Sequence, residues 1–166
     1  MPDELLTQIA QDTDGEERVY LLKGKPFPVT IAVMRDLGEF GRLFDKMDGR
    51  HKALKAKKGK LGVTISKELY EGLEDKLGTF ERLGEDKIEV YLTTEREIDT
   101  ASVLELGLRS PVMTWARAVL FIKLNAGLAA SILKDFQEMN GEVAHAEAKK
   151  GSKGSETTGD SEDSDD

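Results

Sequence analysis

The sequence predicts an α+β fold that is mainly α: a small N-terminal β-hairpin followed by a helical bundle with one long C-terminal helix. Three observations support this prediction. Residues 18–33 hold two β-rich runs separated by a turn, residues 37–108 hold several apolar patterns at helical spacing, and residues 111–139 form one long apolar segment. A length of 166 residues is typical of one domain.

We expect three regions along the chain: a flexible N-terminal segment (1–17), a single α+β domain (18–140) and an acidic, disordered tail (141–166). The net charge is −8, and residues 151–166 carry six acids and one lysine, which leaves −3 for residues 1–150. Residues 151–166 contain no apolar side chain, so burial cannot offset the entropy of ordering them. The acidity therefore belongs mostly to the tail.

The predicted hairpin begins with Arg18–Leu22, which is rich in β-forming residues. Lys23–Pro26 follows as a turn, because Gly24 tolerates positive φ and Pro26 fixes its own φ. The partner strand, Phe27–Val33, carries apolar residues at alternate positions. Two strands alone are marginally stable in water, so the hairpin needs helices or a third strand packed against it.

Three shorter helices are predicted between the hairpin and the long helix. The first ends at Gly49, the second runs from a Ser66 cap to a stop at Gly84, and the third begins with a capping box at Thr94. Their apolar faces are Leu37, Phe40, Phe44 and Met47; Leu69, Leu73, Leu77 and Phe80; and Ile98, Ala101, Leu104 and Leu108. The alternation in Ile88–Leu92 marks a candidate third strand.

The long helix is predicted over residues 111–139. Ser110 followed by Pro111 is typical of a helix start, and Asn140 followed by Gly141 is typical of a stop. One apolar seam repeats at steps of four and three: Trp115, Val119, Ile122, Ala126, Ala129, Leu133 and Phe136.

A second apolar row lies on roughly the opposite side of this helix and consists of Phe121, Leu124 and Leu128, with Leu120 and Met113 beside it. A helix that is apolar on two sides must be covered on two sides. We expect its own domain to cover one side, and a client protein or another copy of the chain to cover the other. The second row is therefore predicted to be partly exposed and to bind a partner.

The sequence contains no recognisable catalytic or cofactor motif. Cysteine is absent, which excludes disulfides, thiolate metal sites and cysteine nucleophiles. His51 and His145 are the only histidines, and no Walker A loop, G-x-G-x-x-G or G-x-S-x-G sequence occurs. We expect a protein that is not an enzyme and that holds no cofactor and no metal.

The chain is expected to be cytoplasmic and free of membrane contact. Met1–Gln11 lacks the basic region and the long apolar core of a secretory signal. Val112–Leu133 is long enough to span a bilayer, but Arg117, Lys123 and Asn125 interrupt it. Because a charge near the bilayer centre costs ~2.5–3.5 kcal/mol on insertion scales, a buried helix is the better interpretation.

A run of positive side chains without acids follows the first predicted helix, and it consists of Arg50, Lys52, Lys55, Lys57, Lys58 and Lys60. We interpret residues 50–60 as a solvated loop. A contact with an acidic partner, with nucleic acid or with the chain's own acidic tail is the alternative. Aromatic residues do not interleave with the lysines, so the loop offers no platform for base stacking.

The order of elements resembles the tail assembly chaperones of long-tailed bacteriophages. The resemblance is carried by the hairpin Val19–Ile31, a short helix over Met34–Phe44, an asparagine within the last helix in Leu120–Asn125, and a charged tail. It covers residues 18–140 and concerns layout. It implies a small, mainly helical protein of the host cytoplasm that binds the tape measure protein and helps to recruit tail tube subunits. That family has no short diagnostic motif, so no functional residue carries over by position.

Two functional hypotheses follow. The first is a non-enzymatic assembly chaperone or adaptor that binds an apolar or helical client through the second row, with a homo-oligomer as a further candidate assembly. The alternative is a nucleic-acid-binding regulatory protein that uses the basic loop 50–60.

Overall fold

The computed structural model describes residues 15–34 and 37–141. The predicted flexible segment and acidic tail fall almost entirely outside these residues. In chain order the elements are β1 (Gly15–Leu22), β2 (Lys25–Ala32), α1 (Leu37–Ala56), β3 (Leu61–Ser66), α2 (Lys67–Tyr70), a 3-10 turn (Glu74–Lys76), β4 (Phe80–Arg82), β5 (Lys87–Leu92), α3 (Glu95–Leu106), β6 (Leu108–Ser110), α4 (Trp115–Leu124) and α5 (Ala126–Met139).

The predicted helical bundle is wrong. Within the described residues, five α-helices and six strands form a mixed α/β structure. The strands build two antiparallel sheets of three strands each, in the orders β1-β2-β6 and β3-β5-β4. The helices pack with these sheets around one apolar core, to which the hairpin, the second sheet and every helix longer than one turn contribute buried side chains.

The predicted hairpin is confirmed, although β1 begins at Gly15, within the segment that we expected to be flexible. The predicted turn Lys23–Pro26 is too long, because Lys25 and Pro26 already belong to β2. Lys23 and Gly24 form its two-residue turn, with φ values of 53° and 79°. Positive φ at both central residues is typical of a type I′ turn, whose twist matches that of the strands. On the other side of β2, the short β6 pairs through Thr30 with Ser110 and through Ile31 with Leu108.

The predicted helix from Ser66 to Gly84 is also wrong. Ser66 ends strand β3, and the segment continues as one turn of helix, a 3-10 turn and the short strand β4. Gly72 and Gly78 adopt φ values of 84° and 75°, a conformation that an α-helix cannot contain. The candidate third strand, Ile88–Leu92, is confirmed as a strand, but it lies at the centre of the second sheet between β3 and β4.

Helix α1 continues beyond its predicted end at Gly49 to Ala56. Glycine costs only ~1 kcal/mol in a helix interior, and the added turns bury Leu54. Helix α3 begins as predicted, because the Thr94 side chain accepts a hydrogen bond from the Glu97 backbone amide. It lies at the centre of the fold, between α1, α4 and α5, and Ile98, Ala101 and Leu104 on its apolar face are buried.

The predicted long helix is two helices. The first of them begins at Trp115 behind a Thr114 cap, since Ser110 belongs to β6. Asn125 then leaves helical geometry, and the chain bends by 117° between α4 and α5. The seam residues Val119 and Ile122 of α4 and Ala129, Leu133 and Phe136 of α5 are buried, whereas Ala126, directly after the break, is exposed. The predicted stop at Asn140 is confirmed.

Among the described residues, no single helix is both long and apolar enough to cross a membrane. The bent pair of α4 and α5 meets the criteria of length and composition only when both helices are taken together.

Candidate functional site

An apolar groove opens where the hairpin tip meets α4. Its volume is about 340 Å³. The hairpin, α2, the loop before α4 and α4 itself contribute its lining, which consists of Leu22, Phe27, Leu69, Pro111, Val112, Met113, Arg117, Leu120, Phe121, Leu124 and Asn125. This volume lies at the lower end of the range for ligand pockets (~300–1,000 Å³), so the groove fits a few side chains rather than a whole helix.

The floor of the groove is buried and its walls are half-exposed. Met113 and Leu120 belong to the buried core, whereas Phe121 and Leu124 are only partly covered. At the rim, Val112 is 83% exposed. Large apolar side chains that remain open to water around a concave surface mark a site for binding another apolar group.

The two aromatic walls of the groove contact each other. The ring of Phe27, on the hairpin, stacks on that of Phe121, on α4, with centroids 5.7 Å apart and an interplanar angle of 23°. Stacked pairs of this kind contribute ~0.5–1.5 kcal/mol beyond the area they bury. The contact therefore packs the hairpin tip against α4 at one side of the groove.

The hairpin is also attached to α5. The Tyr20 hydroxyl donates a hydrogen bond of 2.6 Å to the Asp135 carboxylate. Burial, together with this bond and the negative charge of Asp135, raises the pKa of Tyr20 well above its ordinary value. The phenol therefore remains protonated and keeps the bond throughout the physiological pH range.

The structure brings together four of the five predicted partner-binding residues. Met113, Leu120, Phe121 and Leu124 all line the groove. Leu128, beyond the bend at Asn125, lies outside it. The expected partial exposure is confirmed for Phe121, Leu124 and Leu128, whereas Met113 and Leu120 are buried. That these residues bind a partner stays a prediction.

Sequence reasoning missed the residues that other elements contribute to the groove. Leu22 and Phe27 lie near the hairpin turn, at positions that strand alternation places on the inner face of the hairpin. No local sequence pattern indicates that this face contacts α4. Val112 was read as part of a helix rather than as an exposed loop residue. Leu69 was assigned to the wrong element, as the apolar face of a helix that does not form.

Arg117 supplies the positive charge of the groove. Its side chain is exposed, and within the described residues the guanidinium makes no ion pair or hydrogen bond. Lys123, on the same helix, is instead held by Glu97 at 2.9 Å. An arginine without a partner beside an apolar surface suits a ligand that combines apolar side chains with a carboxylate.

The structure places the first part of the predicted basic loop, residues 50–56, in a helix. Arg50–Ala56 belongs to α1, and the Arg50 side chain is mostly buried, with 14% of it exposed. Its guanidinium pairs with Glu105 at 2.8 Å, donates to Ser102 and lies 3.5 Å from the ring centroid of Trp115. The interpretation of Arg50 as part of a solvated loop is therefore wrong.

The lysines of the basic run are exposed. Lys52 pairs with Asp48 on the helix surface, and the Lys60 ammonium lies 4.1 Å from the ring centroid of Tyr91. Lys55, Lys57 and Lys58 extend into solvent without an ion pair in the part of the chain that the structure describes. A polyanion would therefore meet these three side chains first.

Residues 15–34 and 37–141 contain no group of three or more histidine, aspartate or glutamate side chains placed to hold a metal ion. No protein-family model, no curated protein and no solved structure matches the chain. The groove and the exposed lysines are two surfaces on which a functional argument can rest.

Proposed function

We propose that this protein is a non-enzymatic assembly chaperone or adaptor that holds an apolar segment of a client protein in the groove between the hairpin tip and α4. The observation that carries the proposal is the half-exposed apolar lining on a folded, buried floor. Such a surface binds apolar side chains reversibly, and none of its lining residues is an acid, a base or a nucleophile other than Arg117.

The dimensions favour an amphipathic helix as the client segment. A groove of about 340 Å³ accepts the two or three side chains that a helix presents at positions i, i+3 and i+4, while the helix backbone stays outside. Arg117 at the rim favours a segment that also carries an acidic residue next to its apolar face. If the layout resemblance extends to function, this client is the tape measure protein of a phage tail.

A pair of leucine variants tests the proposal. Leu124 and Leu128 are both half-buried and sit on opposite sides of the bend, but only Leu124 lines the groove. The probe is a labelled synthetic amphipathic helix with leucines at i, i+3, i+4 and i+7 and one glutamate beside them. We expect Leu124→Ser to weaken its binding about tenfold or more, as fluorescence anisotropy would measure, and Leu128→Ser to change it little.

Circular dichroism confirms that both variants are folded before their affinities are compared. A charge exchange provides the second arm: Arg117→Glu should reduce binding of the glutamate peptide and increase binding of the same peptide with lysine in that position. Equal losses in the two leucine variants, or a wild-type protein that does not bind the probe, would contradict the proposal.

The exposed lysines support a second candidate function, the binding of nucleic acid. Lys55, Lys57 and Lys58 lie close together at the end of α1 without an ion pair among the described residues. Phosphate contacts by such side chains produce binding that weakens steeply as salt is added. A gel shift at low salt with Lys57→Glu/Lys58→Glu tests this function: unchanged mobility between variant and wild type would eliminate it.

A further inference from the structure

The outer edge of β1 is open. In the first sheet, the order β1-β2-β6 leaves β1 without a neighbour on one side within the described residues. Leu22 and Lys25 flank the two-residue turn and so exchange hydrogen bonds with each other. Alternate residues of β1, namely Glu17, Val19 and Leu21, therefore direct their backbone N–H and C=O groups away from the hairpin. Such an edge is a template for another strand.

The opposite edge of the hairpin is protected. Within the described residues, β6 pairs with β2 at Thr30 and Ile31, and the Ala32 amide donates to the Gly107 carbonyl oxygen. Nearer the turn, this edge carries Pro26 and Pro28, which have no N–H to donate. No proline occurs in β1. The same hairpin thus has one edge at which strand addition is hindered and one at which it is unhindered.

The outer face beside the open edge is apolar. Val19 and Leu21 are 62% and 71% exposed, although they belong to a regular strand. Their partners across the hairpin on the same face are Pro28 and Pro26, both exposed. A strand added to β1 would cover Val19 and Leu21 as well as satisfy the free backbone groups.

We propose that a second copy of this chain occupies the edge, with the two β1 strands antiparallel and Tyr20 opposite Tyr20 of the partner subunit. In this register Val19 faces Leu21 of the partner subunit, and Glu17 lies beside Lys23 of the partner subunit, the turn residue that directly follows β1. The backbone hydrogen-bond pattern is compatible with this register, because Val19 and Leu21 both direct their backbone groups outward and so form a hydrogen-bonded pair. The two tyrosines then take the non-hydrogen-bonded position on the two-fold axis.

Charge complementarity selects both the occupant and the register. Glu17 and Lys23 are exposed and have no ion pair within the described residues. The proposed register pairs each with its opposite charge, and the two-fold axis forms the ion pair twice. A register centred on Val19 instead places Glu17 opposite Leu21, which sets a charge against an apolar side chain. The strand is therefore complementary to itself, so a second copy fits better than an unrelated segment.

The absence of cysteine allows a clean cross-linking test, because an introduced cysteine is the only thiol in the chain. Residues opposite each other in a hydrogen-bonded pair have Cα atoms about 5.5 Å apart, which a disulfide can bridge. We expect a mixture of Val19→Cys and Leu21→Cys proteins to form a disulfide-linked heterodimer on mild oxidation. Either variant alone should form little homodimer, since identical residues lie on a diagonal at about 7–8 Å.

Concentration-dependent sedimentation provides the second measurement. We expect Leu21→Lys to shift the monomer–dimer transition to a concentration about tenfold higher or more. Leu83→Lys is the matched control, because Leu83 is also an exposed large apolar residue (52%) but lies outside the first sheet. Glu17→Lys should weaken the dimer, and the double exchange Glu17→Lys/Lys23→Glu should restore it.

A chain that stays monomeric at every accessible concentration would overturn the proposal, as would a dimer that Leu21→Lys leaves intact. Cross-linking of Val19→Cys with itself in preference to Leu21→Cys would overturn the register. Leu21 does not line the groove, so Leu21→Lys should still bind the amphipathic helix. Failure of the dimer is thereby distinguishable from failure of the proposed function, and loss of peptide binding in Leu21→Lys would assign the edge to a client instead.

Discussion

The outer face of the first sheet carries Val19 and Leu21, both more than half exposed, whereas the outer face of the second sheet carries Glu81, Glu89 and Tyr91. Both sheets have three antiparallel strands and an apolar inner face. They differ in what they present to water: apolar side chains on the first sheet, and charged and hydroxyl groups on the second.

The polar face of the second sheet is occupied by its own contacts. The Tyr91 hydroxyl lies within hydrogen-bonding distance of both Glu81 and Glu89, and these bonds raise the pKa of Tyr91 above its ordinary value. Lys60 lies over the face of the same ring. Among the described residues, the outer face of the first sheet has no such network, and the tip of this sheet also lines the groove. The difference teaches that the outer face of the second sheet is occupied by its own side-chain contacts, whereas the outer face of the first sheet leaves apolar side chains open to solvent.

The largest predicted effect is a difference in the free energy of unfolding between a variant at a buried position of the second sheet and a variant at an exposed position of the first. Ile88 is fully buried in the central strand of the second sheet, so Ile88→Ala should lower the free energy of unfolding by about 2–5 kcal/mol. Leu21→Ala, on the exposed face of the first sheet, should change it by less than about 0.5 kcal/mol. Urea denaturation at low protein concentration measures both values. Similar losses in the two variants would contradict the difference in burial between the two positions.

A smaller effect is predicted where the first sheet is attached to the last helix. The buried Asn140 side chain accepts a hydrogen bond from the Met34 amide and donates to the Ala32 and Phe136 carbonyl oxygens. Asn140→Ala leaves these backbone groups without their partner, which should cost about 1–3 kcal/mol.

Hydrogen exchange shows which strand the Asn140→Ala variant destabilises. If Asn140 holds the end of β2, amides of β2 should exchange faster in the variant, while those of β5 should change less. Gln137→Ala is the control, because Gln137 is exposed on the same helix. An Asn140→Ala variant as stable as Gln137→Ala would show that the attachment contributes nothing.

The first sheet was the more predictable of the two because its hairpin is local. Gly24, Pro26 and the alternation after Phe27 identify the turn and both strands within sixteen residues of sequence. The second sheet pairs β3 with β5 across an intervening segment, and no local pattern encodes that pairing. Leu69, Leu73 and Leu77 repeat every four residues as in a helix, and the conformations of Gly72 and Gly78 that exclude a helix become evident only in the structure.

Of the residues that line the groove, those on α4 could be predicted from the sequence, whereas those on the hairpin could not. Phe121 and Leu124 belong to an apolar row that helical spacing reveals. In any tertiary structure, such a row must pack against another part of the chain or against a partner. Leu128 was assigned to the same row because the bend at Asn125 leaves the spacing unchanged. Phe27 could not be placed in the groove, since its stacking on Phe121 joins residues far apart in the sequence.

The smallest predicted effect concerns the junction between the second sheet and α3, and it depends on pH. Glu97 accepts a hydrogen bond from the Thr93 amide, directly after β5, and pairs with Lys123. Burial alone raises the pKa of Glu97, but the bonds from Thr93 and Lys123 outweigh burial and bring it below the ordinary value of 4.5. The unfolded chain therefore binds more protons just below pH 4.5, so this contribution to stability is present above that pH and is lost as the pH falls.

Asp99, two residues further along α3, should behave in the opposite way. Burial raises its pKa above the ordinary value of 3.8, although His51 at 2.7 Å lowers it in part. Its contribution is therefore complete below pH 3.8 and decreases as the pH rises through the raised pKa.

Glu97→Gln should flatten the acid side of the stability profile, and Asp99→Asn should remove the opposing slope. Each change should stay below about 1 kcal/mol because both groups are partly exposed. Urea denaturation on both sides of pH 4.5 measures the slopes, and equal slopes in the two variants would contradict the assignment. Hydrogen exchange on β5 but not on β1 should follow the Glu97 slope, because only the second sheet continues into α3 through Thr93.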